Sequence, residues 1–293
     1  MKRRKILGIS HLGFFSSNLP KTLAFCEEFL GYAEPYELKR ADGSVRIAFI
    51  KISNYQHIEL FNEPTKVPGL YFSHIAFIVS NADQMREYLA SKSIPVKPRV
   101  GKGKTGDYNF EVKDPDGHLV EFVQPLPTGW EAENRGKCLP STRISDTIYH
   151  AGYMVGSARK SMTFYEDILG FKEFWRGSSD GKILSWVDLR VPNGKDYFEL
   201  MLYKKMPLQD KWGTKDHVSL QMPNVPQAIA TLESRPWYKH VYLTYAKPLY
   251  VQVGKNKHRL ANVYDPDGTR IELMEPNTIT GKPTPSSTLP LPH

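Results

Sequence analysis

The chain has 293 residues, 40% hydrophobic and 24% charged, with a net charge of +8; this balance suits a soluble folded protein with room for two cores. No apolar run approaches the roughly 18 residues of a membrane helix, and Ser10 and His11 interrupt the stretch after the basic start MKRRK before a secretory signal core can form. Beyond that start the basic residues are scattered without a helix-turn-helix, zinc-finger or RNA-binding signature, which argues against nucleic acid as a partner.

The expected elements repeat. Four alternating apolar strands each carry a histidine: GISHLGFFSS with His11, YFSHIAFIVS with His74, TIYHAGYMVG with His150 and TKDHVSLQMP with His217. Each leads into a helix-like stretch with polar starting residues: NLPKTLAFCEEFLG, NADQMREYLASKS, SARKSMTFYEDILG and NVPQAIATLESRP. Gly31 and Gly170 stand where the first and third helices should end. Strand-like segments follow, and the last of each unit carries a glutamate: Glu59, Glu121, Glu199 and Glu272. Histidine and glutamate are 48, 47, 49 and 55 residues apart in the four units, the mark of a duplicated duplication.

The second and fourth glutamates follow near-identical stretches, DPDGHLVEF and DPDGTRIEL. DPDG predicts a hairpin turn, in which proline presets one backbone angle and glycine accepts a positive one. The longest connection rich in turn-formers, residues 126–145, predicts a boundary between a first domain of residues 1–125 and a second of residues 146–276. The remaining residues 277–293, rich in proline, serine and threonine, read as an extended, mobile tail. Cys26 and Cys138 are too few for a disulfide framework and read as free thiols of a reducing, cytoplasmic compartment.

A histidine and a carboxylate at matching repeat positions suit a divalent ion such as zinc, iron, nickel, cobalt or manganese. Two facing units would bring two histidines and two glutamates together, leaving two coordination positions for water or substrate. His57 lies two residues before Glu59 and so shares its strand face; it reads either as a solvated edge residue or as a partner or proton relay for the site. Tyr197 holds the equivalent place before Glu199, so the two cups would differ chemically. Phe14, Phe15, Tyr108, Phe110, Trp175 and Trp186 lie near the expected strands, as core or as walls for a planar or apolar substrate.

With this pattern over residues 7–276, the chain resembles the vicinal oxygen chelate superfamily, which includes glyoxalase I, extradiol ring-cleaving dioxygenases and bleomycin-resistance proteins. The resemblance implies an α+β fold of four βαβββ modules forming two cupped-sheet domains. It also implies a metal set of His11, Glu59, His74 and Glu121 in the first half and of His150, Glu199, His217 and Glu272 in the second. Glu199 is there either the fourth ligand or the proton-moving base, and Glu59 has the same alternatives. In the dioxygenases only the later pair of modules binds iron, through positions matching His150, His217 and Glu272, which favours the later cup as the working one. Three departures are visible. The dioxygenase signature has a histidine well upstream of the final turn, whereas here the nearest, His258, lies seven residues before Asp265. The dioxygenase tyrosine before the final turn is Asn262, and the arginine that glutathione-dependent glyoxalases carry after the first ligand is absent from HLGFFSS. The leading expectation is therefore a metal-dependent lyase or isomerase acting on a small molecule with adjacent oxygens. An iron-dependent ring-cleaving dioxygenase and a non-catalytic binding protein are the alternatives.

Overall fold

The computed structural model describes residues 2–67, 69–208, 210, 212 and 215–292. The first unit runs β1 (Ile6–Ser16), α1 (Leu19–Ala24), β2 (Ala33–Lys39), β3 (Val45–Lys51) and β4 (His57–Asn62). The second runs β5 (Phe72–Val79), α2 (Ala82–Ser91), β6 (Gly101–Lys102), β7 (Asp107–Lys113) and β8 (Leu119–Pro125). A short helix, α3 (Trp130–Glu133), lies in the connection to the second half. The third unit comprises β9 (Ile148–Val155), α4 (Ala158–Met162), β10 (Lys172–Gly177), β11 (Trp186–Arg190) and β12 (Tyr197–Leu202). The fourth comprises β13 (His217–Gln221), α5 (Val225–Ser234), α6 (Pro236–His240), β14 (Gln252–Val253), β15 (His258–Tyr264) and β16 (Arg270–Thr278). The extra helix α6 and the helical turn Tyr242–Thr244 lengthen the fourth unit, which accounts for its wider histidine-to-glutamate spacing.

The local chemistry of the sequence sets these elements. Asn18, Asn81, Ser157 and Asn224 each cap a helix by accepting a backbone N–H three residues on. In the first and third units the helix widens into π-helical turns, Phe25–Phe29 and Thr163–Ile168, and then stops at Gly31 and Gly170, whose φ angles are +77° and +74°. The DPDG turns close the β7–β8 and β15–β16 hairpins, with Gly117 and Gly268 both at φ +95°.

The fold is α+β, with two eight-stranded cupped sheets ordered β2-β3-β4-β1-β5-β8-β7-β6 and β10-β11-β12-β9-β13-β16-β15-β14. Units one and two thus share one sheet and units three and four the other. At each centre the two histidine strands pair antiparallel, β1 with β5 and β9 with β13. Each also has a glutamate strand as its parallel neighbour: β1 with β4, β5 with β8, β9 with β12 and β13 with β16. This symmetry brings the histidines and glutamates to the middle of each cup. Behind the sheets the halves share one hydrophobic core. Phe77 of the first half packs on Phe171 and Phe198 of the second, and Phe29 stacks on Trp237.

The C-terminal tail is extended, as the sequence implies, but it is hydrogen-bonded rather than loose. Arg176 N–H donates to Ser286 Oγ at 2.9 Å, and Ser287 N–H donates to Arg176 O at 2.9 Å. The connection around α3 is likewise folded onto the first sheet rather than free. No helix among the described residues is long and apolar enough to cross a membrane. Cys26 is buried, Cys138 is exposed, and both are free.

Candidate metal centres in two cups

In the first cup four side chains face one point. Nε2 of His11 lies 3.1 Å from Nε2 of His74 and 3.1 Å from Glu121 Oε2, and His74 Nε2 lies 3.3 Å from the same carboxylate oxygen. Glu59 stands slightly farther off, 3.8 Å from each histidine. Two ligand atoms each about 2.1 Å from one ion stand about 3.0 Å apart at an octahedral edge and about 3.4 Å apart at a tetrahedral one. The separations of 3.1–3.3 Å therefore fit a single divalent ion held by His11, His74 and Glu121, with Glu59 just beyond either spacing.

The backbone is shaped for this approach. Gly13 follows His11 by two residues and lies opposite His74 across the strand pair. A Cβ at Gly13 would sit 2.4 Å from the His74 ring, and one at Gly152, two after His150, would sit 2.2 Å from the ring of His217. In the sequence these glycines are marked only by the shared spacing His-x-Gly of the first and third units.

The first cup also orients its rings. His11 Nδ1 lies 3.1 Å from Ser10 Oγ, and His74 Nδ1 lies 3.2 Å from Ser73 Oγ. Each hydroxyl can accept an Nδ1 proton, leaving the Nε2 lone pair free for the cup. His57 is buried, stacked on His11 with ring centroids 4.5 Å apart, and bonded through Nδ1 to Glu131 Oε1 at 2.8 Å. Of the two readings of His57, the inward-facing one fits this placement.

The charges are mutually compensated. Burial pulls the His57 imidazole down, but the hydrogen bond to Glu131 and the nearby carboxylate of Glu59 outweigh it and push the ring up to about 9. Burial also opposes the charged form of His74, which hydrogen bonding to Glu121 nevertheless raises above its ordinary value. The carboxyls respond in kind. Burial would raise Glu59, but the neighbouring imidazoles of His11, His57 and His74 hold it down. Glu121 is held far below the usual carboxylate range, because bonds to His11 and His74 overcome its burial.

The second cup gathers the matching residues with different surroundings. His150 Nε2 and His217 Nε2 are 3.1 Å apart; Glu272 lies 3.5 Å from His150, and Glu199 lies 3.7 Å from His217. The His150–His217 and His150–Glu272 separations also suit one ion, but the support is poorer. His150 Nδ1 is buried without a hydrogen-bond partner among the described residues. His217 Nδ1 lies 3.0 Å from Lys215 O and 2.5 Å from the guanidinium of Arg270, which stands at the strand position that Leu119 holds in the first sheet. Tyr197 replaces His57 and stacks on His150 at 4.4 Å.

Here the shifts run the other way. Burial first, then the Arg270 charge, push both histidines well below their ordinary values. Burial and the neighbouring Glu272 raise Glu199 to about 8, and burial also raises Glu272 despite Arg270. Asp188, opposite Glu199 on the adjacent strand, is buried and also raised, first by burial and then by the two glutamates.

The cavities differ as well. The first cup encloses about 40 Å³ beneath Trp130 and Glu131 of the connecting segment, whereas the second holds about 230 Å³ between Trp175 and Trp186. Of the aromatic residues noted from sequence, those two tryptophans wall the second cup, while Phe14 and Phe110 are core.

Two βαβββ pairs, each presenting two histidines and two glutamates to the hollow of its sheet, define a superfamily rather than one reaction. The model of the Glyoxalase/Bleomycin resistance protein/Dioxygenase superfamily matches residues 8–122 and 147–235, and the chain belongs to that superfamily. Among curated relatives it is similar to glyoxalase I of Saccharomyces cerevisiae, 24% identical over 226 residues, covering 73% of this chain and 66% of that protein. The chain thus spans just under two thirds of that relative's length. Among solved structures it is similar to the Mn(II)-bound glyoxalase from Novosphingobium aromaticivorans, with TM-score 0.66, 17% identity, and coverage of 93% of this chain and 83% of that one. It is also similar to the 2,3-dioxygenase LapB from Pseudomonas sp. KL28, with TM-score 0.69, 16% identity, and coverage of 99% and 98%.

Proposed function

We propose that the protein is a metal-dependent lyase or isomerase of glyoxalase type that works in its first cup on a small substrate with adjacent oxygens. The observation that carries this reading is the second glutamate. A two-histidine, one-glutamate iron site has no use for a second glutamate, yet Glu59 stands 3.8 Å from both histidines of the first cup and Glu199 stands 3.7 Å from His217 in the second. The full set of two histidines and two glutamates matches the glyoxalase pattern, and the hydroxyl-supported rings favour the first cup over the second.

When bound, a divalent ion supplies Lewis acidity toward two neighbouring substrate oxygens. His11, His74 and Glu121, the three closest groups, would hold it. Glu59 is the more loosely placed carboxylate and is the residue proposed to carry a proton between neighbouring substrate carbons. Its acidity is set by His11, His57 and His74 around it. His57 faces Glu59 at 3.9 Å and keeps the ring side of the cup polar. Glu199 holds the corresponding place in the second cup, beside Arg270.

Metal analysis of the wild type and of His11→Ala and His150→Ala, with oxygen uptake on catechols, tests this. The expected result is one tightly held ion per chain, lost in His11→Ala, kept in His150→Ala, and no oxygen consumption. Oxygen uptake that depends on His150 would establish the dioxygenase reading, and a chain without stoichiometric metal would be a binding protein.

A further inference from the structure

We propose that the segment joining the two halves completes the first cup. In this arrangement Glu131 is a positioning residue that aims His57 Nε2 at an oxygen of the substrate beyond the chelated pair. This deepens the proposed function and rests on it.

The segment is built into the cup at both ends. On one side it docks on the loop before β7. Trp130 N–H donates to Thr105 O at 2.9 Å, Leu126 N–H donates to Gly106 O at 3.3 Å, and a Cβ on Gly129 would lie 2.6 Å from Gly106 O. Only glycine permits that backbone approach. On the other side the buried amine of Lys51 donates to the carbonyls of Asn134 and Lys137, and Gly136 N–H donates to Asn54 Oδ1 at 2.7 Å. A buried lysine spent on two backbone carbonyls is costly unless those carbonyls have to be held there.

Between the anchors two side chains point into the cup. Trp130 stacks on Tyr36 and meets the His57 ring edge-on at 5.2 Å. Glu131 takes the Nδ1 side of His57 at 2.8 Å. A carboxylate can only accept there, so Nδ1 carries the proton and the ring is locked with Nε2 inward. That Nε2 is buried and has no hydrogen-bond partner among the described residues; the nearest carboxylate oxygen, on Glu59, is 3.9 Å away. A buried imidazole nitrogen so oriented calls for a polar atom of the ligand.

The rest of the lining agrees. Ser10, Thr105, Asp107 and Asn109 also line the cavity, and its volume of about 40 Å³ has room for only a few water-sized groups. The substrate class is accordingly a small hydrophilic compound that adds at least one hydroxyl to its vicinal oxygen pair. The second cup has Tyr197 at this place and tryptophan walls, and it would not share the preference.

The test compares calorimetric binding of lactate, with its vicinal oxygens alone, and of glycerate, with one more hydroxyl, to the metal-loaded protein. The wild type should bind glycerate at least tenfold tighter than lactate. Glu131→Ala should erase that preference while keeping the metal and the lactate affinity, His57→Phe should erase it as well, and Glu131→Gln, which still accepts from Nδ1, should retain most of it. Equal affinity for both acids in the wild type, or parallel loss of both in Glu131→Ala, overturns the inference while leaving the metal site standing. A wild type that takes up no metal overturns this inference and the proposed function together.

Discussion

Asp116 accepts the backbone N–H of Gly156 across the two halves at 3.1 Å. Its twin, Asp267, accepts the backbone N–H of Ser17 at 3.0 Å. Both aspartates are the third residue of a DPDG turn, and both receiving segments start the helix of an odd-numbered unit in the other half. The duplicated turn therefore does more than close a hairpin, since each copy clips one half to the other. Asp116→Ala, at the more buried contact, should cost about 1–2 kcal/mol, and Asp267→Ala about 1 kcal/mol or less. Urea unfolding of the two single variants and the double variant checks this, with near-additivity expected for two distant sites.

The fold was legible in the sequence because it is written four times. One strand–helix–strands order, with a histidine and a glutamate at fixed places, cannot suit a doubly wound parallel sheet. The grouping of His11 with His74, Glu59 and Glu121 followed from the same repetition. What lay hidden depends on contacts between segments far apart in the chain. Glu131 reads as an ordinary linker acid until the connection folds back to His57. Arg270 reads as a strand-end charge until it meets His217 Nδ1. The tail appeared free for the same reason, because its bonds to Arg176 have no local signature.

Gly13 and Gly152 are predicted to matter more for the ions than for the fold. A methyl at either position overlaps the second histidine of its cup at 2.4 or 2.2 Å, so that ring must move. Overpacking of this kind costs about 1–3 kcal/mol. Because the ring is the part that yields, Gly13→Ala should lower metal affinity in the first cup at least tenfold, as read by competition with a chelating dye. Unfolding midpoints measured on metal-free protein should move by no more than that overpacking cost.

His118 should make stability fall with rising pH. Its ring is buried between Tyr153 and Trp212, with Nδ1 3.0 Å from Asp114 and Nε2 3.6 Å from Asp216 of the other half. Burial opposes protonation, but bonding to Asp114 and the charges of both aspartates outweigh it and raise the ring above its ordinary 6.5. A raised histidine stabilises fully below the unfolded value and loses that contribution as pH rises through the folded one. Asp216, pushed up to about 6 mainly by burial, has the same sign at lower pH. It holds its proton better folded than unfolded, so stability also declines between about pH 4 and 6. His118→Gln should flatten the decline above pH 6.5 relative to wild type, as measured by urea midpoints from pH 5.5 to 8.5. Parallel curves for the two proteins would show that His118 is neutral throughout.

Arg270 is the residue that separates the two cups, and replacing it should create a second metal site. Its guanidinium has only donors, so at 2.5 Å it requires His217 Nδ1 to accept. That places any ring proton on Nε2, the atom facing His150, and a protonated nitrogen cannot bind a metal. The fixed positive charge also disfavours a cation nearby, and with burial it keeps both histidines of the cup well below their ordinary values. Leu119 fills the matching position in the first cup and imposes neither constraint. In Arg270→Leu, His217 Nδ1 is free to donate to Lys215 O, already 3.0 Å away, and Nε2 turns its lone pair to the cup. Bound metal should rise from about one ion per chain toward two, with the new site removed by His150→Ala and the first left intact. If Arg270→Leu stays at one ion per chain, the second cup is limited by the unsupported His150 ring instead.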